Sequence, residues 1–283
     1  MRTLSLAFSL VVLAPIGTHA LAQAGRGNPP VGGAAAAQNA TRSRGVLLED
    51  LTWQEAERVL KKATVVVIPL GAGAKEHGPH LKLSNDLIIA EYLKKRVLDS
   101  ADVVMAPTVN YNYYPAFVLY PGSTSLTIET ARDMIVQIVR SLASFGPRRF
   151  YVLNTGVSTL GPLRQAQAIL TVDTITMQFT NLGVVLADVE KRVSKQEGGT
   201  HADEIETSMM LYMAPSTVDM GKAVKDYRPS KGRLVRDSTM PGTYSPTGIW
   251  GDPTLATREK GALVTEALVT GILKDIQRLR NTP

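Results

Sequence analysis

The sequence has no cysteine and only four histidines among its 283 residues. Without cysteine the chain has no disulfide bond, no thiolate metal ligand and no cysteine nucleophile, so histidine, aspartate and glutamate are its only strong metal-binding side chains. Charged residues are also sparse, at 20%, whereas apolar residues make up 44% of the chain. This balance excludes a disordered or fibrous protein and is enough to bury the core of one large domain or two small ones.

The formal net charge of +6 suggests an acidic partner such as nucleic acid, provided that the basic residues lie in the folded part of the chain. Four of the 31 basic residues and none of the 25 acidic ones precede Glu49, so 27 basic and 25 acidic residues remain and give a net charge of +2. No stripe of Lys and Arg with interleaved aromatic residues follows. We therefore expect no nucleic-acid partner.

The N-terminal segment has the three parts of an export signal. Met1 and Arg2 form a charged start, residues 4–16 are nearly all apolar, and an Ala-x-Ala cleavage sequence ends at Ala22. The apolar run is shorter than the roughly 20 residues that a membrane span needs, which favours a cleaved signal peptide over residues 1–22 rather than an anchor. We expect an exported protein, periplasmic or secreted, with no membrane contact after cleavage.

Residues 23–45 are rich in Ala, Gly, Pro and Asn and contain one bulky apolar residue, Val31. Such a segment buries too little apolar surface to offset the entropy lost on ordering, so we predict a flexible leader. No internal repeat and no Pro/Ser linker interrupts the rest of the sequence. The folded domain is therefore expected over residues 46–283.

Within this domain, apolar runs alternate with helical patterns. Residues 64–70 are continuously apolar and β-branched, which indicates a strand buried on both faces. The same pattern predicts further strands at 103–105, 150–153 and 184–186. It predicts helices at 86–97, 128–145, 162–177, 201–213 and 256–280, with a Gly/Pro/Ser-rich loop at 226–253. Strands separated by helices imply βαβ crossovers. The predicted fold class is α/β, with a three-layer α/β/α arrangement around a mostly parallel central sheet.

The loop after the first predicted strand contains His77 and His80 and reaches Asp86 at the start of the next helix. Ligands of parallel α/β sheets bind at the carboxyl ends of the strands, where this loop lies. One interpretation is a glycine-rich turn with Asp86 as a helix cap. The absence of a Gly-Lys-Ser/Thr sequence argues against a phosphate loop.

The third histidine of the predicted domain, His201, is followed by Glu204 and Glu206. Histidines and carboxylates gathered at strand ends are typical of a divalent metal site. Glu204 is also compatible with a solvated surface position.

Taken in order, these motifs resemble the creatininase (creatinine amidohydrolase) family from about Leu51 to Ile276. The motifs that carry the resemblance are Pro69-Leu70-Gly71, His77-Gly78-Pro79-His80-Leu81, Asp86, Tyr120-Pro121-Gly122-Ser123, Leu126, His201-Ala202, Glu206-Thr207-Ser208, Trp250-Gly251-Asp252-Pro253, Ala256, Glu259, Lys260 and Gly261. The resemblance implies a three-layer α/β fold, a homo-oligomer that is often a hexamer, and hydrolysis of a cyclic or linear amide. It also implies divalent metal, zinc or manganese, that activates water against the amide carbonyl.

The resemblance also implies roles for individual residues. His77 and Glu206 match metal ligands, and Asp86 matches the carboxylate that bridges two ions. His201 matches a histidine that acts as acid and base near the substrate. His80 matches a histidine that orients the ligands from outside.

Two departures from the family pattern concern the metal ligands. Lys75 stands where the family has a glutamate, and Glu76 follows it. Neighbouring side chains in an extended segment point to opposite sides. Glu76 therefore becomes a metal ligand only if a bulge in the chain turns its side chain towards the metal. Otherwise Lys75 repels the ion, or replaces it and stabilises an oxyanion. Gly156 stands where the family has a histidine ligand. One ion rather than two is compatible with the remaining ligands.

Tyr114 and Trp250 are candidates to line the substrate pocket, although both are also compatible with packing roles. The predicted function is metal-dependent hydrolysis of a small-molecule amide. The alternatives are a family member that has lost its metal chemistry and binds a small ligand, and a purely structural oligomer without a closed polar pocket.

Overall fold

The computed structural model describes residues 43–229 and 232–282, so the predicted signal peptide and the leader up to residue 42 lie outside the described part of the chain. The strands are β1 (Val46–Leu47), β2 (Val65–Leu70), β3 (Val104–Met105), β4 (Arg149–Asn154), β5 (Thr176–Phe179), β6 (Leu234–Val235) and β7 (Thr243–Tyr244). The α-helices are α1 (Trp53–Val59), α2 (Asn85–Ser100), α3 (Ile128–Ala143), α4 (Leu160–Val172), α5 (Leu182–Val185), α6 (Ala187–Val193), α7 (Glu204–Met213) and α8 (Arg258–Arg280). No helix in the described ranges combines the length and apolar character that crossing a membrane requires.

The central sheet has five strands in the order β1-β3-β2-β4-β5, and every neighbouring pair is parallel. β2 lies in the middle, and all six of its residues are buried, because each face of the strand presents apolar side chains to a helical layer. Its last residue, Leu70, pairs with Asn154 at the end of β4. The loops that follow these two strands therefore meet at one edge of the sheet.

Helices cover both faces of the sheet. Val65 and Val67 of β2 pack with apolar residues of α2, α7 and α8, whereas Val66 and Ile68 pack with α3 and α4. The alternation follows from the period of two along a strand. This arrangement confirms the predicted three-layer α/β/α fold with a mostly parallel sheet.

The prediction of a strand over residues 184–186 is wrong. Val184 and Val185 belong to the short helix α5, and the Val184 side chain is 71% exposed. The fifth strand is β5, in which Phe179 pairs with Val152 of β4. Pairing with the open edge of the sheet decides the strand, and it outweighs the β propensity of two valines.

For the same reason the helix predicted over residues 162–177 is too long. α4 ends at Val172, and Thr174 adopts a positive φ of 59°, which turns the chain into β5. Residues 176 and 177 therefore belong to the sheet rather than to the helix.

Candidate active site

The loop between β2 and α2 carries the first group of site residues into the interior. Lys75, Glu76 and His77 are 6%, 6% and 1% exposed. α2 begins very close to the end of β2, and a Cβ atom at Gly71 would overlap the carbonyl group of Asp86. Glycine at position 71 therefore allows Asp86 to approach the loop. Asp86 does not cap α2, contrary to one interpretation of the sequence, because the N-cap residue is Ser84.

His77 is oriented by the backbone of its own loop. Its Nδ1 lies 2.8 Å from the Lys75 carbonyl oxygen, which can only accept a hydrogen bond, so Nδ1 carries a proton. Its Nε2 lies 2.9 Å from Asp86 Oδ1 and 3.4 Å from Glu206 Oε1. Two carboxylate oxygens around one imidazole nitrogen favour a cation at that point, either a proton or a metal ion.

The ionisation of His77 reflects this environment. Burial and the Lys75 ammonium lower the pKa of His77, but the carboxylates of Asp86 and Glu206 outweigh them and raise it to about 9. Burial raises the pKa of Glu206, yet His77, His201 and Lys75 hold it well below its usual range. The metal-free site therefore contains an imidazolium between carboxylates at neutral pH.

The second group of site residues comes from the start of α7. The helix predicted over residues 201–213 begins at Glu204, because the Asp203 side chain caps it by accepting hydrogen bonds from the N–H groups of Ile205 and Glu206. The Glu206 side chain turns towards the residues that precede the helix, since its Oε2 accepts a 2.8 Å hydrogen bond from the Ala202 N–H. The cap and this contact fix Glu206 beside the β2 loop.

His201 has its own tautomer fixed by Glu76. The Nε2 of His201 lies 3.0 Å from the Glu76 carbonyl oxygen and 3.1 Å from Glu76 Oε2, so Nε2 carries a proton that it donates. The other nitrogen, Nδ1, lies 3.9 Å from Glu206 Oε2. Both histidines thus present an unprotonated nitrogen, Nε2 of His77 and Nδ1 of His201, towards the same carboxylate when neutral.

Ligand atoms from His77, His201 and Glu206 lie within 4.8 Å of one another. Two imidazole nitrogens and one carboxylate oxygen form a donor set that suits zinc and manganese. The residues present therefore fit a divalent metal ion. The geometry adds His201 to the candidate ligands predicted from the sequence.

Glu76 turns into the site although it is the neighbour of Lys75. The loop has no strand at this point, so the alternation of an extended chain does not apply. Besides its contact with His201, the Glu76 carboxylate accepts a hydrogen bond from the Gly78 N–H. Burial raises the pKa of Glu76, but the hydrogen bonds from His201 and Gly78 bring it below its usual value.

Lys75 occupies the opposite side of Asp86 from His77. Its Nζ lies 2.7 Å from Asp86 Oδ2, 5.0 Å from the centre of the Phe117 ring and 5.7 Å from that of Tyr114. Burial raises the pKa of Asp86, but Lys75 and His77 outweigh burial and hold it below its usual range. Asp86 is therefore a carboxylate between two cationic groups.

Three more residues predicted for the site, His80, Tyr114 and Trp250, lie around the cluster formed by Lys75, Glu76, His77, Asp86, His201 and Glu206. His80 is buried, which lowers its pKa to about 4, and its Nε2 lies 2.8 Å from Thr207 Oγ1, so it contacts α7 rather than a candidate ligand. Tyr114 is 1% exposed and lies beside Lys75. Trp250 pairs with His201 through the backbone, with its N–H donating to the His201 carbonyl at 2.9 Å.

A cavity of about 410 Å³ lies against the cluster. Its lining includes Lys75, His201, Glu206 and Trp250. Its remaining wall is partly apolar and includes Ile89, Phe117, Leu186, Met209 and Leu268. A pocket of this size next to convergent polar groups is typical of small-molecule sites, and it is not expected of a purely structural oligomer.

Gly156, after β4, also lines the cavity. Its carbonyl accepts a 2.7 Å hydrogen bond from the Asn154 side chain, which holds the loop in place. Without a side chain, this position offers no ligand, and a Cβ atom there would lie 3.1 Å from Thr159 Oγ1.

Three contacts of the site were not predicted from the sequence. Phe117 lies with its ring centre 4.4 Å from that of His201, and Asn85 donates a 3.0 Å hydrogen bond to Glu206 Oε1. Glu204 is completely buried and pairs with Lys260, so the expectation of a solvated surface position is wrong. The position of Asn85 beside Asp86 could have identified Asn85 as a site residue, whereas nothing in the local sequence identifies Phe117 as one.

The fold and the site define an α/β protein with a candidate divalent metal site at the carboxyl ends of parallel strands. The family model Creatininase, described as creatinine amidohydrolase, matches residues 49–276, and the chain belongs to this family. This confirms the resemblance seen in the sequence motifs.

Two characterised relatives cover most of the chain. Creatinine amidohydrolase of Pseudomonas putida is 27% identical over an alignment of 256 residues, and the match covers 83% of this chain and 97% of that protein. Mycofactocin precursor peptide peptidase of Mycobacterium tuberculosis is 26% identical over an alignment of 230 residues, and the match covers 77% of this chain and 86% of that protein.

Solved structures of creatininases share the fold. A crystal structure of creatinine amidohydrolase has a TM-score of 0.71 at 24% identity and covers 85% of this chain and 100% of its own. A manganese creatininase has a TM-score of 0.70 at 25% identity, with coverage of 84% and 100%. A mutant creatininase of Zn-Zn type has a TM-score of 0.70 at 24% identity, with coverage of 84% and 99%.

Proposed function

We propose that the protein is a metal-dependent amidohydrolase that acts on a small-molecule amide. The observation that carries the proposal is the convergence of His77, His201 and Glu206, of which His201 and Glu206 line the 410 Å³ cavity. The relatives support the reaction type, because a creatinine amidohydrolase and a peptide peptidase both hydrolyse an amide bond. The cyclic or linear nature of the substrate stays a prediction.

A zinc or manganese ion in this site would supply a Lewis acid that activates water and polarises the amide carbonyl. His77 is prepared for this role, because its Nδ1–H is held by the Lys75 carbonyl and its Nε2 faces the carboxylates. His201 is prepared in the same way, since its Nε2–H is held by Glu76 and its Nδ1 faces the carboxylate of Glu206. Backbone and carboxylate partners of this kind fix the tautomer and orientation of metal-binding histidines.

These contacts favour His201 as a third ligand over the acid and base role that the sequence suggested. Glu76 then acts as a positioning residue that holds His201 from behind. Asp86 pairs with both Lys75 and His77, which keeps its carboxylate ionised. The apolar part of the cavity excludes water from one side of a bound amide.

The proposal is tested by loading the purified protein with zinc or manganese and measuring hydrolysis of creatinine, of simple lactams and of short peptides. Glu206→Gln should lose both metal and hydrolysis. Glu197→Gln is a matched control, because that carboxylate is 60% exposed and pairs only at the surface with Lys225 among the described residues. Wild-type protein that takes up neither metal, or a Glu206→Gln variant that hydrolyses as fast as the wild type, would contradict the proposal.

A second candidate function, a small-ligand-binding protein without metal chemistry, is favoured by the buried Lys75 and by Gly156. It predicts that the Asp86→Ala variant, which we expect to be inactive as an enzyme, still binds an amide ligand as the wild type does. Calorimetric titration of both proteins with the best ligand of the hydrolysis panel separates the two functions.

We further propose that the protein is exported and forms a homo-oligomer. N-terminal sequencing of protein from the extracellular or periplasmic fraction should find a chain that begins near residue 23. Light scattering of the purified protein should give a mass several times that of one chain. An intact residue 1 in the mature protein, or a monomeric mass, would refute the corresponding prediction.

A further inference from the structure

The two oxygens of Asp86 have different partners. Oδ1 lies 2.9 Å from His77 Nε2, and Oδ2 lies 2.7 Å from Lys75 Nζ. Oδ2 accepts no hydrogen bond from the described residues and Asp86 is 1% exposed, so the ion pair with Lys75 is the contact that remains for this oxygen. The Lys75 ammonium is therefore the group that compensates this oxygen.

Lys75 is held in this position from several sides. Its ammonium faces the rings of Phe117 and Tyr114 at 5.0 and 5.7 Å, and aromatic faces attract a cation. Its backbone N–H donates to the Leu83 carbonyl, and its own carbonyl accepts from His77. A buried ammonium without a counter-ion is costly, so Lys75 stays with Asp86.

A carboxylate that bridges two metal ions offers one oxygen to each ion. In this chain an ammonium occupies the place beside Oδ2, whereas the place beside Oδ1 adjoins His77 and Glu206. A divalent ion beside Oδ2 would have to displace the ammonium or lie against it. At the distances of an ion pair, the repulsion between these like charges is large in a dry interior.

We propose that Lys75 is a built-in cation in place of a second metal ion, so that each chain binds a single divalent ion. The inference deepens the proposed function and rests on it for the identity of the first ion. Because Lys75 also lines the cavity, its ammonium is placed to contact an oxygen of the bound amide. The site then combines one exchangeable and one permanent positive charge.

The metal stoichiometry of the whole protein tests this proposal without any substrate. The protein is incubated with excess zinc, desalted and analysed by plasma mass spectrometry, and we expect about one zinc per chain. The Lys75→Glu variant removes the ammonium and adds a carboxylate, so we expect about two. Lys82→Glu is the matched control, because Lys82 is an exposed lysine of the same loop, and its stoichiometry should stay at one.

Two zinc ions per wild-type chain would overturn the proposal, as would a folded Lys75→Glu variant that still binds only one. If circular dichroism shows that Lys75→Glu does not fold, Lys75→Gln is titrated instead, and a second, weaker zinc site must appear in calorimetry for the proposal to hold. One zinc per wild-type chain without hydrolysis of any amide would contradict the proposed function alone. Wild-type protein that binds neither zinc nor manganese would contradict both.

Discussion

Removal of the Asp86 carboxylate should destabilise the metal-free protein strongly. Asp86 is 1% exposed, and its negative charge lies beside the Lys75 ammonium and the His77 imidazolium. Asp86→Asn therefore leaves these two buried cations without that carboxylate. Breaking one side of a buried ion pair costs about 3–5 kcal/mol. With a urea m-value of about 2 kcal/mol/M, the unfolding midpoint should fall by about 2 M.

The assay is urea unfolding followed by circular dichroism in the presence of a chelator. Asp219→Asn is the matched control, because Asp219 pairs with Lys222 at the surface, where its side chain is 53% exposed, and we expect no measurable change. The double variant Lys75→Met/Asp86→Asn should lose less stability than the sum of the single variants, by about 1–3 kcal/mol, because it removes both members of the pair. An Asp86→Asn variant as stable as Asp219→Asn would refute the claim that this pair is desolvated.

Three further predictions concern the metal site and the loop that carries it. Because the pKa of His77 is raised to about 9, zinc must displace a proton from it below that pH. The apparent zinc affinity should therefore rise about tenfold per pH unit between about pH 6 and 8.5. An affinity independent of pH, measured by competition with a chromophoric chelator, would contradict this. Glu76→Gln weakens the partner that holds His201, so zinc affinity should fall about 10- to 100-fold with unchanged stoichiometry, and an unchanged affinity in the same assay would argue against a positioning role. Gly71→Ala places a Cβ atom against the Asp86 backbone and should lower stability by about 1–3 kcal/mol. Gly73→Ala, whose Cβ atom would lie 3.5 Å from Asn110, should be tolerated. Equal melting temperatures for the two variants would contradict the packing argument.

The fold could be predicted wherever the sequence pattern agrees with the tertiary environment. Residues 64–70 are apolar on both faces because β2 is the central strand, and the pattern identified it nearly to the residue. The pattern failed at 184–186, where Val184 and Val185 lie in a short helix. It also failed at β5, where only Met177 is fully buried and the segment becomes a strand by pairing with β4. Such pairing is a long-range property that a local pattern does not contain.

The candidate site could be predicted in its residue types but not in its contacts. His77, Asp86 and Glu206 were recognisable from the motifs, and the structure brings them together. The inward direction of Glu76 depends on the irregular loop, and the contact of Phe117 with His201 joins residues far apart in the chain. These features follow from the packing of loops against α7, which the sequence alone does not specify.

The metal site itself is tested most directly by X-ray absorption at the zinc edge of the zinc-loaded protein. If His77 and His201 both bind the ion, the spectrum should contain two imidazole ligands per zinc, with Zn–N distances of about 2.0–2.1 Å, and Glu206 should contribute an oxygen at a similar distance. His201→Ala should reduce the imidazole count to one. A wild-type spectrum with fewer than two imidazole ligands per zinc would contradict the proposed site.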